Sequence, residues 1–153
     1  KSITRVPFIW SDPKLEQNNS TDALSSTLDI SATILDRAGI TPYFGVKGKS
    51  LLKTLTSESS VRDKLLVEFN DGGARLGFKK PARVRSLITR THRFTIYLDN
   101  TWGELYDLIT DPHETCNLWD DPCSIEIKSK LSLLMNQELI SLMDESPRSK
   151  RQA

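Results

Sequence analysis

The sequence predicts an α+β chain in which a strand and helices precede a small four-stranded antiparallel sheet covered by a C-terminal helix. Two observations predict the sheet and its helix. Short apolar segments alternate with period two between residues 64 and 108, and the residues after Pro122 repeat apolar side chains at helical spacing. A third observation separates the two parts, because residues 1–60 show helical patterns between turn-rich connections. A helix lying across a small antiparallel sheet is a stable two-layer arrangement.

The composition is that of a soluble globular protein, and it narrows the functional classes. Hydrophobic residues make up 37% of the 153 residues, charged residues make up 27%, and the net charge is +1. The nearly neutral net charge and the lack of interleaved exposed aromatic residues disfavour nucleic-acid binding. No apolar run reaches the roughly 20 residues of a membrane-spanning helix. We therefore expect neither a nucleic-acid nor a membrane partner.

In the first part of the chain, the apolar residues 6–10 predict a buried strand and the polar residues 14–21 predict an exposed loop. Asp29 is expected to cap a helix over residues 30–38, because a short acidic side chain satisfies the free amides of a first turn. Gly39 is expected to end this helix.

The spacing of the apolar residues changes from helical to alternating near residue 60. Residues 50–55 predict a brief helix, and residues 56–60 are the best candidate for a linker. The next segment, residues 64–69, predicts a strand that enters the turn sequence Asn-Asp-Gly-Gly at residues 70–73. We therefore divide the chain into residues 1–60, residues 61–146 and a basic tail over residues 147–153 that is expected to be frayed.

Residues 83–98 predict an antiparallel hairpin whose turn lies at residues 90–92. In the first strand Val84, Ser86 and Ile88 form the predicted apolar face, alternating with two arginines and a leucine. In the second strand Phe94, Ile96 and Leu98 form it.

Residues 104–108 predict the fourth strand, and Pro122 and Ser124 begin the final helix. This helix should pack on the sheet through one apolar stripe, formed by Ile127, Leu131, Leu134, Met135 and Leu142.

Catalytic and metal-binding patterns are missing from the sequence. His92 and His113 have no metal-ligand spacing to one another, and both are predicted to be solvated turn residues. Cys116 and Cys123 are expected to be free, partly buried thiols. They leave the compartment undecided between the cytoplasm, which we favour, and a secreted or periplasmic location. We predict no catalytic residue, no metal ligand and no bound cofactor in this chain.

Charge is distributed in two blocks, a basic one over residues 75–93 and an acidic one over residues 104–121. Adjacent strands would place the blocks side by side, and cross-strand pairing on a solvated face accounts for most of them. The loop over residues 70–80 could instead bind an anionic group. Its candidate substrate-binding residues are Asn70, Asp71, Arg75, Lys79 and Lys80.

Several segments, in order along the chain, resemble the C-terminal portion of sulfatases of the alkaline-phosphatase superfamily. They are RVPFIW at residues 5–10, STLDISATILDRAGI at residues 26–40, GKSL at residues 48–51, VRSLIT at 84–89, HRFTIY at 92–97, and GELYDL with DPHETCNL at 103–118. The chain departs from the family pattern at Ala32, where sulfatases have proline. Lys1 lies too close to Arg5 to match the catalytic lysine upstream of the RVP strand.

The resemblance implies an alkaline-phosphatase-like α/β parent enzyme that hydrolyses small anionic sulfate esters. Its nucleophile would be a formylglycine and its cofactor a divalent cation, Ca or Mg, and both would lie upstream of this chain. Residues 1–60 would form the end of the large α/β domain, and residues 61–146 a small C-terminal subdomain. Since the chain opens at Lys1 without a methionine, we expect a fragment. Because it lacks a nucleophile and a metal site, we expect it to be inactive alone.

Two other functions are consistent with the sequence. Phosphonate or phosphate monoester hydrolases of the same superfamily share many of these C-terminal features. Alternatively, the chain is a non-enzymatic module that binds polyanions through its basic block. As a fragment it should also self-associate through apolar surface that truncation exposes.

Overall fold

A computed structural model describes residues 4–14, 20–57, 59–74 and 77–143. The two parts of the chain contain different elements. Among the described residues, the first part contains two helices, and the second contains four strands followed by a helix. In chain order the elements are α1 (Leu28–Arg37), α2 (Leu52–Ser57), β1 (Lys64–Asn70), β2 (Arg83–Thr89), β3 (His92–Tyr97), β4 (Gly103–Asp107), a 3-10 turn (Pro122–Ser124) and α3 (Ile125–Ser141).

The four strands form one antiparallel sheet in the order β1-β2-β3-β4, as predicted. Its register places one apolar residue of each strand in a single row across the sheet. Leu66 lies opposite Leu87, Leu87 opposite Phe94, and Phe94 opposite Leu105. The last three are almost completely buried. This row is therefore the sheet side of the hydrophobic core.

Helix α3 closes that core from one face of the sheet. Leu131 and Met135 are buried against the apolar row, and Ile127, Leu134 and Leu139 pack beside them. The predicted stripe is correct except at Leu142, which lies beyond the end of α3 and is exposed.

The predicted apolar face of β2 was wrong. Because Leu87 pairs with Phe94 in the core row, Val84, Ser86 and Ile88 lie on the opposite face of the sheet. Ser86 and Thr95 are buried on that face and hydrogen-bond each other through their hydroxyls. Both sides of β2 carry branched apolar residues, so alternation alone could not identify the side that meets α3.

Residues 6–10 do not form the predicted buried strand. No strand of the described residues pairs with them, and Ile9 is 89% exposed. A strand whose backbone has no partner within the chain cannot join a sheet. The described part of the predicted loop, residue 14 and residues 20 and 21, is exposed as expected.

Helix α1 begins earlier than predicted, and Asp29 lies inside its first turn; Thr27 occupies the N-cap position. The buried Asp29 carboxylate accepts hydrogen bonds from the Ser26 amide (2.7 Å) and the Lys49 amide (2.7 Å), and it pairs with Arg62. It therefore joins three separate segments. The helix ends before Gly39, as predicted.

Thr33, one turn further along α1, performs a similar role. Its hydroxyl donates to the Asp29 carbonyl (2.6 Å) and accepts from the Leu51 amide (3.0 Å). The connection that follows α1 passes so close to the helix that a Cβ on Gly48 would lie 2.0 Å from the Leu28 carbonyl oxygen. The GKSL segment is thus held against α1 by two polar side chains and a required glycine. Helix α2 follows two residues later than predicted.

The chain after β4 folds back along the outer edge of that strand. The Asn117 side chain accepts from the Leu105 amide (2.9 Å) and donates to the Gly103 carbonyl (3.0 Å), and the Leu118 amide donates to the Leu105 carbonyl (2.8 Å). A Cβ on Gly103 would lie 2.4 Å from the Trp119 ring. The edge of β4 is therefore satisfied within the chain.

Cys116 and Cys123 are free thiols, as predicted, but both are exposed and not partly buried. The predicted tail over residues 147–153 lies outside the described residues. Within the described ranges, no helix has the length and apolar character needed to cross a membrane.

Candidate functional site

The loop that joins β1 to β2 carries the predicted substrate-binding residues. Asn70 ends β1, Asp71 follows it, and Lys79 and Lys80 lie on the return towards β2. The Asp71 amide donates to the Ala82 carbonyl (2.8 Å), so the two ends of the loop meet. Arg75 lies outside the described residues.

The structure does not bring all of these side chains to one point. The Asn70 side chain accepts a hydrogen bond from Arg85 Nη1 (3.0 Å) on the neighbouring strand. Lys79 is exposed, and Lys80 Nζ lies 3.6 Å from Asp99 Oδ2 on the β3–β4 loop. Within the described ranges, no hydrogen bond or ion pair joins Asn70 to either lysine. The two lysines form the exposed cationic part of the loop, and Asn70 is bonded to β2 instead.

Aromatic residues gather at the same end of the sheet. Phe78, from the β1–β2 loop, stacks on Tyr97 at the end of β3 with 6.0 Å between ring centroids. Trp102, just before β4, lies 4.5 Å from Tyr97 and 6.2 Å from Phe78. We refer to these three residues as the aromatic cluster. Sequence reasoning missed it, because its members come from three segments; the only signal was a pair of aromatic residues flanking the third turn.

The Tyr97 hydroxyl links this cluster to a charged group. It donates to Glu104 Oε1 (3.0 Å). Burial, and then the negative charge of Glu104 and the hydrogen bond to it, raise the pKa of Tyr97 to about 12. The phenol is therefore a fixed neutral donor near neutral pH.

Arg93 forms the centre of the charged group. Its Nη1 lies 2.8 Å from Glu104 and its Nη2 lies 2.8 Å from Glu114, while its guanidinium stacks over the Tyr106 ring. Burial acts to lower the pKa of Arg93, but the two carboxylates outweigh it and raise that pKa. This pairing fulfils the predicted contact between the basic and acidic blocks at one arginine. Arg85, in contrast, pairs with Glu68 on β1.

Two acidic residues of the 103–118 segment have structural partners. Asp111 accepts from the Thr115 amide (2.7 Å) and the Cys116 amide (2.8 Å), and these bonds lower its pKa. Glu114 reaches Arg93 from a backbone position with φ +58°. A left-handed backbone at a glutamate is uncommon, and here it directs the carboxylate towards the Arg93 guanidinium.

The described residues do not fit a divalent cation. No group of three or more His, Cys, Asp or Glu side chains in those ranges could hold one. His92 contacts the Thr91 hydroxyl at 2.8 Å at the start of β3, and His113 is exposed. The arrangement can bind an anion and pack against a ring, and its described residues offer no metal site for hydrolysis.

Comparison with known proteins gives the chain a family. A family model described as "N-sulphoglucosamine sulphohydrolase, C-terminal" matches residues 1–141. A Delta 4,5-hexuronate-2-O-sulfatase of Bacteroides thetaiotaomicron is 31% identical over 146 residues, which are 94% of this chain and 30% of that protein. The chain therefore spans about a third of the length of that curated relative.

Solved structures have the same fold. A 2-O GAG sulfatase shares a TM-score of 0.64 and 27% identity over 78% of this chain and 25% of its own. A phosphonate monoester hydrolase from Silicibacter pomeroyi shares a TM-score of 0.67 at 24% identity, over 80% of this chain and 26% of its own. The chain belongs to the N-sulphoglucosamine sulphohydrolase C-terminal family of sulfatases.

Proposed function

We propose that this chain is the C-terminal part of an enzyme that hydrolyses sulfate esters. The observation that carries the proposal is the family match over residues 1–141. In this proposal residues 1–60 complete the large α/β domain, and residues 61–146 form the small subdomain.

The chemistry belongs to the rest of that enzyme. The divalent cation and formylglycine that the family implies would supply charge neutralisation and the attacking oxygen. We assign no reaction step to the residues of this chain. Their role is to wall the substrate cleft and to stabilise the large domain, and the β1–β2 loop is the part that contacts substrate.

The substrate we propose is a small sulfated sugar. The name of the curated relative specifies a sulfate on a hexuronate, and Lys79 and Lys80 offer exposed ammonium groups for sulfate oxygens. Sulfate is an anion with several acceptor oxygens, so two adjacent lysines suit it better than a neutral ester.

A phosphonate monoester hydrolase is the second candidate, because a solved enzyme of that activity has the same fold. Its identity of 24% supports the shared fold alone, whereas the sulfatase relative reaches 31%. The sulfatase proposal is therefore the stronger one.

The test is a comparison of substrates. The enzyme that carries this chain at its C-terminus should release sulfate from an aryl sulfate and from a 2-O-sulfated hexuronate faster than it cleaves an aryl phosphonate ester. The sequence preceding Lys1 should contain a Cys or Ser in a C/S-x-P-x-R motif. Faster phosphonate cleavage would favour the second candidate, and sulfate release by this chain alone would contradict the assignment of chemistry to the rest of the enzyme.

We also propose that the isolated chain self-associates. Large apolar side chains of the first part are exposed, and they form the surface that the rest of the enzyme would cover. They include Val6, Ile9, Leu28, Ile34, Ile40, Tyr43 and Phe44. Sedimentation velocity should show species larger than a monomer, and a strictly monomeric chain would contradict this proposal.

A further inference from the structure

The aromatic cluster exposes one ring and supports it with two others. Trp102 is 46% exposed, whereas Phe78 and Tyr97 are partly buried. Tyr97 is anchored by its hydrogen bond to Glu104, so Trp102 packs on a fixed ring. The accessible indole is therefore preorganised, and little side-chain entropy is lost when a ligand contacts it.

Positive charge lies on the loop that carries Phe78. Lys79 and Lys80 follow Phe78 in the sequence, and both ammonium groups are exposed. The ion pair from Lys80 to Asp99 spans 3.6 Å between side chains that are more than half exposed, so it is weak and easily exchanged for a ligand anion. Arg83, exposed at the start of β2, adds a third cation to the same end of the sheet.

An exposed apolar ring face at the same end of the sheet as exposed ammonium groups matches one class of ligand. The C–H face of a pyranose packs on an indole, and its sulfate substituents accept charge-assisted hydrogen bonds from lysines. Single-stranded nucleic acid also combines stacking with negative charge, but it needs successive accessible rings. Here two of the three rings support the third. The arrangement favours a single sugar ring with a sulfate beside it.

We propose that Trp102, supported by Phe78 and Tyr97, and the two loop lysines Lys79 and Lys80 together form a subsite for one sulfated sugar ring. The inference rests on the proposed function and deepens it, because it locates a contact for a sugar ring on this chain. The subsite binds the saccharide and takes no part in breaking the ester bond.

The experiment is isothermal titration calorimetry of this chain with four probes: a sulfated disaccharide, the same disaccharide without sulfate, inorganic sulfate, and an oligothymidylate. We expect the sulfated disaccharide to bind tightest. Trp102→Ala should weaken its binding about tenfold, the loss of roughly one stacking contact. Trp102→Tyr, which keeps an aromatic face, should restore most of the affinity. The double variant Lys79→Ala/Lys80→Ala should weaken binding by a similar factor and reduce its dependence on salt.

Matched control variants come from the first part of the chain. Phe44→Ala removes another exposed ring and Lys53→Ala another exposed lysine, and both should bind the disaccharide as the wild type does. An unchanged urea midpoint should show that Trp102→Ala remains folded.

Three results would overturn the inference. These are unchanged affinity in Trp102→Ala, inorganic sulfate binding as tightly as the sulfated disaccharide, and tighter binding of an oligothymidylate. The titration measures binding and not sulfate release. An inactive enzyme would therefore contradict the proposed function without contradicting this subsite. Loss of the subsite would likewise leave the proposed function standing.

Discussion

Between residues 64 and 143 the chain encloses its own apolar core, whereas between residues 4 and 57 most large apolar side chains face solvent. The buried residues of the first part are mainly polar: Asp29, Thr33 and Thr54, with Ala32 and Leu51 beside them. Its backbone is thus positioned by hydrogen bonds, while its apolar surface stays exposed to solvent. The second part gains its stability from burial within the chain.

The two parts of the chain are thus held together by different interactions. The stability of the core row that α3 covers depends on how closely the volumes and shapes of its side chains fit together. A buried carboxylate that joins three segments depends on keeping every partner, because one lost partner leaves an uncompensated charge. Substitutions should therefore act on the two parts by different mechanisms and to different extents.

The largest effect is expected in the first part, from Asp29→Ala. Removing this carboxylate leaves Arg62 without its buried partner and frees the Ser26 and Lys49 amides, at a cost of about 3–5 kcal/mol. Hydrogen exchange should speed up at those amides and stay slow at Leu87. Asp22→Ala, which removes an exposed carboxylate that precedes the same helix, is the control. Uniform exchange throughout the chain would contradict the separation of the two parts.

A somewhat smaller but global effect is expected in the second part, from Leu87→Ala. The truncated side chain leaves a cavity between the sheet and α3 and should cost about 2–5 kcal/mol. Urea unfolding followed by circular dichroism measures it. Leu98→Ala removes an exposed leucine and should change the free energy of unfolding by less than about 0.5 kcal/mol. Similar losses for the two variants would show that the core row is not the source of stability.

Gly103→Ala sharpens the comparison at the edge of the sheet. Its methyl group would meet the Trp119 ring and the Thr95 carbonyl, 2.5 Å away, so we expect a loss of about 1–3 kcal/mol from overpacking. Gly72→Ala, with open space around its Cβ, is the matched control. A urea midpoint equal to that of the wild type would argue against the close approach of Trp119.

The smallest effect concerns pH. Burial and Glu104 raise the pKa of Tyr97 to about 12, so the folded chain holds the phenol proton more tightly than the unfolded chain. This contribution to stability is fully present below pH 10, the ordinary value, and is lost as pH rises towards 12. Tyr97→Phe cannot ionise, so its urea midpoint should decline less between about pH 9 and about pH 12. Equal declines in variant and wild type would contradict the assignment.

The sequence predicted the strands better than their faces. Alternation and turn residues placed β1 to β4 within a residue or two, because both are local properties. The core face of β2 depends on which side α3 covers, a contact between residues far apart in the chain. The role of Asp29 was missed because its partners Lys49 and Arg62 lie 20 and 33 residues away. The sequence next to Asp29 therefore predicted only a helix cap.

The candidate site was predictable only in part. The basic loop was visible as a run of charges, and the structure leaves Lys79 and Lys80 exposed there. The aromatic cluster required the return of two loops to the same end of the sheet, which no local pattern encodes.

Residues 6–10 were predicted as a strand because their composition is apolar, yet a strand also needs a neighbouring backbone.

Coverage of β4 by Asn117 and Leu118 has a consequence for assembly. A sheet with two open edges can add strands indefinitely, as amyloid does. In the described part of this chain the outer edge of β1 has no neighbouring strand, and no backbone hydrogen bond covers it as Asn117 and Leu118 cover β4. Two copies that met through β1 would form an eight-stranded sheet whose outer edges are both the covered β4 strands. Growth by strand addition would then stop at two chains, which makes it self-limiting.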